Sequence, residues 1–211
     1  MNASSISEIT GIPRATVIRK LKISEKTGMI HKDKKQLYTI GKSYKAKLKD
    51  IKALFFECDW LLTDGSITLF PDGAQTRTMN VKDGFAIQVA ARKKYILAII
   101  TGARSKEIRN RFNDLGVTEV YLNCIKKIDA FNSLLNKYNL KSNHVLYMGD
   151  DIPDIEVLKN VGLSCCPSDA IYQVKKIVDY ISPLKGGSGC VRDVIEQVLK
   201  IQQKWPNEIH T

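Results

Sequence analysis

Residues 53–65 read Ala53-Leu54-Phe55-Phe56-Glu57-Cys58-Asp59-Trp60-Leu61-Leu62-Thr63-Asp64-Gly65. This is an apolar strand that ends in two acids one residue apart, with Asp-Gly five residues beyond the second acid. From about Lys49 onward the chain alternates short apolar strands with amphipathic helices. Strands are expected at 51–57, 95–101, 119–122, 144–148, 162–165 and 178–181. Helices are expected at 83–94, 105–115, 126–138, 153–160, 169–176 and 189–204. Such alternation predicts an α/β fold with a mostly parallel, Rossmann-like sheet covered on both faces. Ligands bind at the carboxyl ends of the strands in folds of this kind. The informative polar residues fall at those ends: Glu57 and Asp59, then Thr101 and Gly102, Lys127, and Asp150, Asp151 and Asp154.

Together those residue types suit a phosphate or metal pocket. A carboxylate nucleophile and a second acid around Mg²⁺ orient and neutralise a phosphate. A Thr hydroxyl and a Lys ammonium hold its remaining oxygens. A further carboxylate, here Asp150, completes an oxygen shell for the metal.

The 211 residues are 44% apolar, enough for a real core, and carry a net charge of +11. Residues 1–50 hold 12 Lys/Arg against 4 Asp/Glu, while residues 51–211 hold 21 against 18. The positive excess therefore sits in the first fifty residues, a pattern that favours a polyanion such as DNA. Ser5-Ile6-Ser7-Glu8 has capping-box spacing, Gly11 and Pro13 punctuate, and a helix is expected from Arg14 to about Thr27, closed by Gly28. Met29–His31 and Leu37–Ile40 read as two strands around a basic tip. Residues 4–41 resemble a small winged helix-turn-helix, within a domain drawn at 1–44. On that likeness Arg14, Thr16 and Arg19 face base edges, while Lys20, Lys34 and Lys35 meet phosphates. Residues 45–211 form the second domain.

No apolar run approaches the ~20 residues of a membrane span, and no signal-peptide core is visible, so a cytoplasmic protein without membrane contact is expected. The five cysteines form no Cys-x-x-Cys pair, in keeping with a reduced protein, and the three histidines stand at no ligand-like spacing from them.

The strand followed by acid-x-acid resembles the first motif of the haloacid dehalogenase-like phosphatases. Leu62-Thr63-Asp64-Gly65, Asn80-Val81-Lys82-Asp83-Gly84, Ile100-Thr101-Gly102, Gly149-Asp150-Asp151-Ile152-Pro153-Asp154 and Gly186-Gly187-Ser188-Gly189-Cys190-Val191-Arg192 extend the likeness over about residues 49–205. They resemble the 3-deoxy-manno-octulosonate 8-phosphate phosphatase family. The resemblance implies a fold without a large cap and a homotetramer in which the Ser66–Val81 hairpin packs between subunits. It also implies an acidic sugar or sugar phosphate as ligand and Mg²⁺ held by Glu57, Asp59 and Asp150. Catalysis then falls to Glu57, Asp59, Thr101 and Lys127. Asp64, Lys82, Asp83, Gly102, Arg104, Asp151, Asp154 and Arg192 form the surrounding substrate and supporting set.

The centre departs from that pattern. Glu57 stands where the family has the attacking Asp, Trp60 where it has Gly, and Ala103 where it has Arg, with Arg104 one residue later. Two of the three changes strike the reacting centre. Together with the basic segment they favour a DNA-binding regulator whose phosphatase-like domain is degenerate, oligomerises and binds an acidic sugar. The alternative is an active Mg²⁺-dependent phosphatase of 3-deoxy-manno-octulosonate 8-phosphate or a related nine-carbon acidic sugar phosphate.

Overall fold

The computed structural model describes residues 30–32, 38–40 and 42–206. The chain divides into two units, Met1–Lys49 and Asp50–Thr211. In the first, β1 (Ile30–Lys32) pairs antiparallel with β2 (Tyr38–Ile40), Ile30 opposite Ile40. The helices expected before this pair lie outside the described residues, as do Arg14, Thr16, Arg19, Lys20, Lys34 and Lys35. Helix α1 (Lys42–Asp50) was not foreseen. Four lysines mask its pattern, in which Tyr44 and Leu48, four residues apart, are the buried pair.

The second unit is built on six parallel strands: β3 (Ala53–Phe56), β6 (Ile96–Ile100), β7 (Glu119–Tyr121), β8 (Val145–Met148), β9 (Leu163–Cys166) and β10 (Tyr180–Ile181). Their spatial order is β10-β9-β8-β3-β6-β7. All four residues of β3 are buried, as a central strand covered on both faces demands. Phe55 meets Phe131 edge to face, with ring centroids 6.2 Å apart. Full burial of each Phe is worth about 1.5–3 kcal/mol.

Helices α2 (Val81–Arg92), α3 (Lys106–Asp114), α4 (Lys127–Lys137), α5 (Ile155–Leu158), α6 (Tyr172–Lys175) and α7 (Cys190–Ile201) connect or flank the strands. Two, α5 and α6, have half their expected length. Asp151 caps a 3₁₀ turn at Ile152–Asp154, where Pro153 removes a backbone donor, so α5 begins only at Ile155. A turn in which the Ala170 amide donates to the Pro167 carbonyl delays α6 to Tyr172.

Register brings the functional strand ends level. Phe56 lies opposite both Ile99 and Met148. The Glu57 amide then continues the ladder onto the Met148 carbonyl at 3.1 Å, and Thr101 donates its amide to Tyr121 at 3.0 Å. Between β3 and α2 the chain makes a hairpin of β4 (Thr68–Leu69) and β5 (Gln75–Thr76), turned at Gly73 with φ +84°. Ile67, Leu69 and Phe70 on it are exposed. Among the described residues no helix is long and apolar enough to cross a membrane.

Helices α2 and α7 are tied by a buried carboxylate. Asp83 is fully buried; its Oδ1 accepts the Arg192 amide at 2.6 Å, and it also takes backbone bonds from Gly189 and Val191. It thus satisfies the first amides of α7, where the helix dipole favours negative charge. Asp83 Oδ2 has no hydrogen-bond partner. Burial outweighs the backbone bonds and pushes the group from its ordinary 3.8 up to about 6. The folded state therefore holds the proton over a range in which the unfolded chain has lost it. Stability falls as pH rises from about 4 to about 6 and stays at the lower level above that. Asp83→Asn keeps an acceptor and removes the titration. In urea unfolding it should gain on the wild type between pH 4 and 7, with about 3 kcal/mol as the ceiling.

Candidate active site

Glu57 leaves the end of β3 and points into a buried polar cluster. Its Oε1 accepts the Thr101 hydroxyl at 2.6 Å, and its Oε2 pairs with the Lys127 ammonium. Lys127 reaches on to Asp154 Oδ1 at 2.7 Å, and Asp154 also accepts the Tyr147 hydroxyl at 2.6 Å. Its second oxygen takes the amides of Asp150 and Asp151 at 3.1 and 3.2 Å. Three strand ends and the first residue of α4 thereby meet around one ammonium.

The charges follow from burial and pairing. Burial raises the Glu57 pKa, with Asp154 adding to it and Lys127 and Thr101 opposing. Burial alone would lower Lys127, but Asp154 and Glu57 outweigh it and the net shift is upward, so the side chain stays an ammonium. Asp150 is pushed up to about 8, by burial first and then by Asp154 and Glu57. Among the described residues no cationic side chain pairs with Asp150.

Asp59 sits at the mouth, its Oδ1 bound to Arg77 Nε at 2.8 Å and to the Thr63 hydroxyl at 3.3 Å. Four carboxylates, Glu57, Asp59, Asp150 and Asp154, thus face two cations, Lys127 and Arg77. The surplus of negative charge and the all-oxygen donor set suit a hard divalent cation. Among the described residues no three such side chains stand close enough to hold an ion as they are. Glu57 is drawn onto Lys127 and Asp59 onto Arg77, so an ion would compete with both pairs.

The supporting residues divide. Gly102 opens onto free space, which leaves room beside Thr101. Arg104 turns to Asn123 Oδ1 at 3.0 Å and is exposed. Asp64 and Asp151 cap local turns through Ser66 and Ile152, and Asp83 serves the α2–α7 joint as described. Lys82 and Arg192 line a cavity of about 600 Å³ beside the start of α7, together with Ser188, Glu196 and Lys200. Glu57, Asp59 and Asp150 do not line it. Arg192 also lies over Phe85 and Trp205, 5.7 and 5.5 Å from their ring centres. Arg77 and Tyr147 join the site without a signal in the sequence. Arg77 is 18 residues from Asp59 and carries no local signal, and Tyr147 reads as one more apolar position of β8.

Trp60 takes a left-handed backbone, φ +61°, and is 53% exposed. The backbone of Gly186 presses on its carbonyl, where an added Cβ would come within 2.0 Å.

Carboxylates and one ammonium at the carboxyl ends of a six-stranded parallel sheet suit the handling of a phosphate ester with a hard divalent cation. The family model of the haloacid dehalogenase-like hydrolases matches residues 74–193. The 3-deoxy-D-manno-octulosonate 8-phosphate phosphatase KdsC of Escherichia coli K12 is 36% identical over 159 residues, 75% of this chain and 85% of that protein. The crystal structure of the same phosphatase from Yersinia pestis superposes with a TM-score of 0.76 at 32% identity, covering 78% of this chain and 89% of that one. One from Moraxella catarrhalis, in complex with magnesium, phosphate and KDO, gives 0.74 at 32% identity, covering 76% and 92%. The chain belongs to the haloacid dehalogenase-like hydrolases, on the branch of the 3-deoxy-D-manno-octulosonate 8-phosphate phosphatases.

This overturns the expectation of a DNA-binding regulator with a degenerate domain, since the relatives over three quarters of the chain are phosphatases. The physical weakness of that expectation lies at Glu57. Its extra methylene does not eject the carboxylate, which still reaches the Thr101 hydroxyl and the Lys127 ammonium.

Proposed function

We propose that this chain is a Mg²⁺-dependent phosphomonoesterase acting on 3-deoxy-manno-octulosonate 8-phosphate or a related nine-carbon acidic sugar phosphate. The observation that carries the reading is the buried Glu57–Lys127–Asp154 array with Thr101 on Glu57. The array gathers a carboxylate nucleophile with a hydroxyl and an ammonium that can hold phosphate oxygens.

Glu57 attacks phosphorus and Asp59 gives its proton to the departing sugar oxygen as the P–O bond breaks. Asp59 then takes a proton from the water that releases phosphate from Glu57. Thr101 and Lys127 steady Glu57 and the phosphate oxygens, while Asp154 and Tyr147 fix the ammonium. Glu57 and Asp150 would hold the Mg²⁺, whose charge lowers the repulsion between carboxylate and phosphate, while the Asp59 carboxyl stays free to carry the proton. The exposed Ile67, Leu69 and Phe70 of the hairpin support a homotetramer packed through that element.

Phosphate release from a panel of sugar phosphates, on a full-length preparation that sediments as a tetramer, tests the reading. Turnover should appear with Mg²⁺, vanish with chelator, and fall at least about a hundredfold in Asp59→Asn. No release from any acidic sugar phosphate would sink it.

A further inference from the structure

We infer that the solvent-facing side of the Trp60 indole is the platform on which the sugar part of the substrate rests. Trp60 is then the residue that selects among phosphate esters at this site, an assignment that rests on the phosphatase reading above. Three observations carry it.

The first is position. Trp60 directly follows Asp59, the group that serves the departing sugar oxygen, so the chain enters Trp60 from the leaving-group side of the site. Its carbonyl is fixed from behind by the close approach of Gly186, and the Gly187 amide donates to the Leu61 carbonyl at 2.8 Å.

The second is the orientation of the ring. A Cβ placed on Gly65 would meet Trp60 Cε2 at 2.3 Å, Cδ2 at 2.4 Å and Nε1 at 2.7 Å. These are the two ring-fusion carbons and the adjoining nitrogen, so the backbone of Gly65 lies against the face of the indole and not its rim. One face is held by a glycine at φ +80°. With that face covered, the residue is still 53% exposed.

The third is strain. A left-handed backbone is unfavourable for a bulky residue and persists where surrounding structure over-determines it. Here Gly65 and Gly186 do so, and what they hold in place is a large aromatic face open to solvent. Sugars present C–H faces that pack on aromatic rings, while their hydroxyls and carboxylate stay free for polar partners. Acetyl phosphate has no such face.

The tryptophans of the chain are Trp60 and Trp205, so Trp205→Phe leaves Trp60 as the emitter. In that background, with Mg²⁺ present, 3-deoxy-D-manno-octulosonate should change the emission saturably, and inorganic phosphate alone should not. In kinetics, Trp60→Gly should lower kcat/KM for the sugar phosphate relative to acetyl phosphate roughly tenfold, mainly through KM, and Trp60→Phe should restore part of it. An emission that ignores the sugar acid, or a penalty equally large for acetyl phosphate, overturns the assignment. The titration needs no turnover, so failure of the phosphatase reading would show separately, as a wild type that releases no phosphate.

Discussion

Lys127→Ala should remove phosphate release by roughly 10³-fold, because it deletes the positive charge nearest the attacking carboxylate. The same change should lower stability by about 3–5 kcal/mol, the usual result of breaking a buried pair and leaving its partners charged. Both effects come from one geometry. The ammonium is 6% exposed, pairs with Glu57 and holds Asp154 at 2.7 Å. Without it, Glu57, Asp154 and Asp150 face one another with the Thr101 and Tyr147 hydroxyls but no cation between them. Protonation of Glu57 and Asp150 would then be favoured further, so the stability deficit of the variant should shrink as pH falls. Urea unfolding at several pH values, run beside the phosphate assay, checks both parts. A variant as stable as the wild type at neutral pH would show that the array is not what ties α4 to the strand ends.

Much of this array could be read in the chain before its fold was known, and the reasons are physical. Glu57, Thr101 and Asp150 each follow a short apolar run, and strand-helix alternation dictates that such positions gather at one edge of a parallel sheet. Other features depend on tertiary approach alone. That Arg77 comes back onto Asp59 depends on how the hairpin lies, and its own residues do not encode that. Asp83 stands in Lys82-Asp83-Gly84 like a ligand-facing acid, yet the fold spends it on the amides opening α7. By its place in the sequence Trp60 is a change at the reacting centre. Its ring lies instead on Gly65, a relation fixed by two positive φ angles that composition does not reveal. Identity without position makes Glu57 and Trp60 look like signs of lost chemistry.

Glu57→Asp should raise kcat by roughly 10²-fold, with KM for the sugar phosphate changed much less. Glutamate extends the carboxylate by one carbon-carbon bond, roughly 1.5 Å, and in-line attack is sensitive to displacements of that size. In the present arrangement the extra reach is absorbed by contact: Oε1 lies 2.6 Å from the Thr101 hydroxyl and Oε2 against the Lys127 ammonium. The carboxylate is thus held on Thr101 and Lys127, where it is desolvated and its pKa raised by burial. A shorter side chain draws it toward the strand end, loosens its hold on Lys127 and leaves that ammonium freer to meet a phosphate oxygen. The gain should therefore appear in the chemical step and not in affinity. Glu57→Gln separates charge from length: it keeps the reach, removes the nucleophile, and should abolish turnover while the fold persists. Single-turnover phosphate release for the three proteins reads the difference directly. A fall in kcat in Glu57→Asp would mean that Thr101 and Lys127 are set for the longer side chain, and that glutamate is the nucleophile this site is built around.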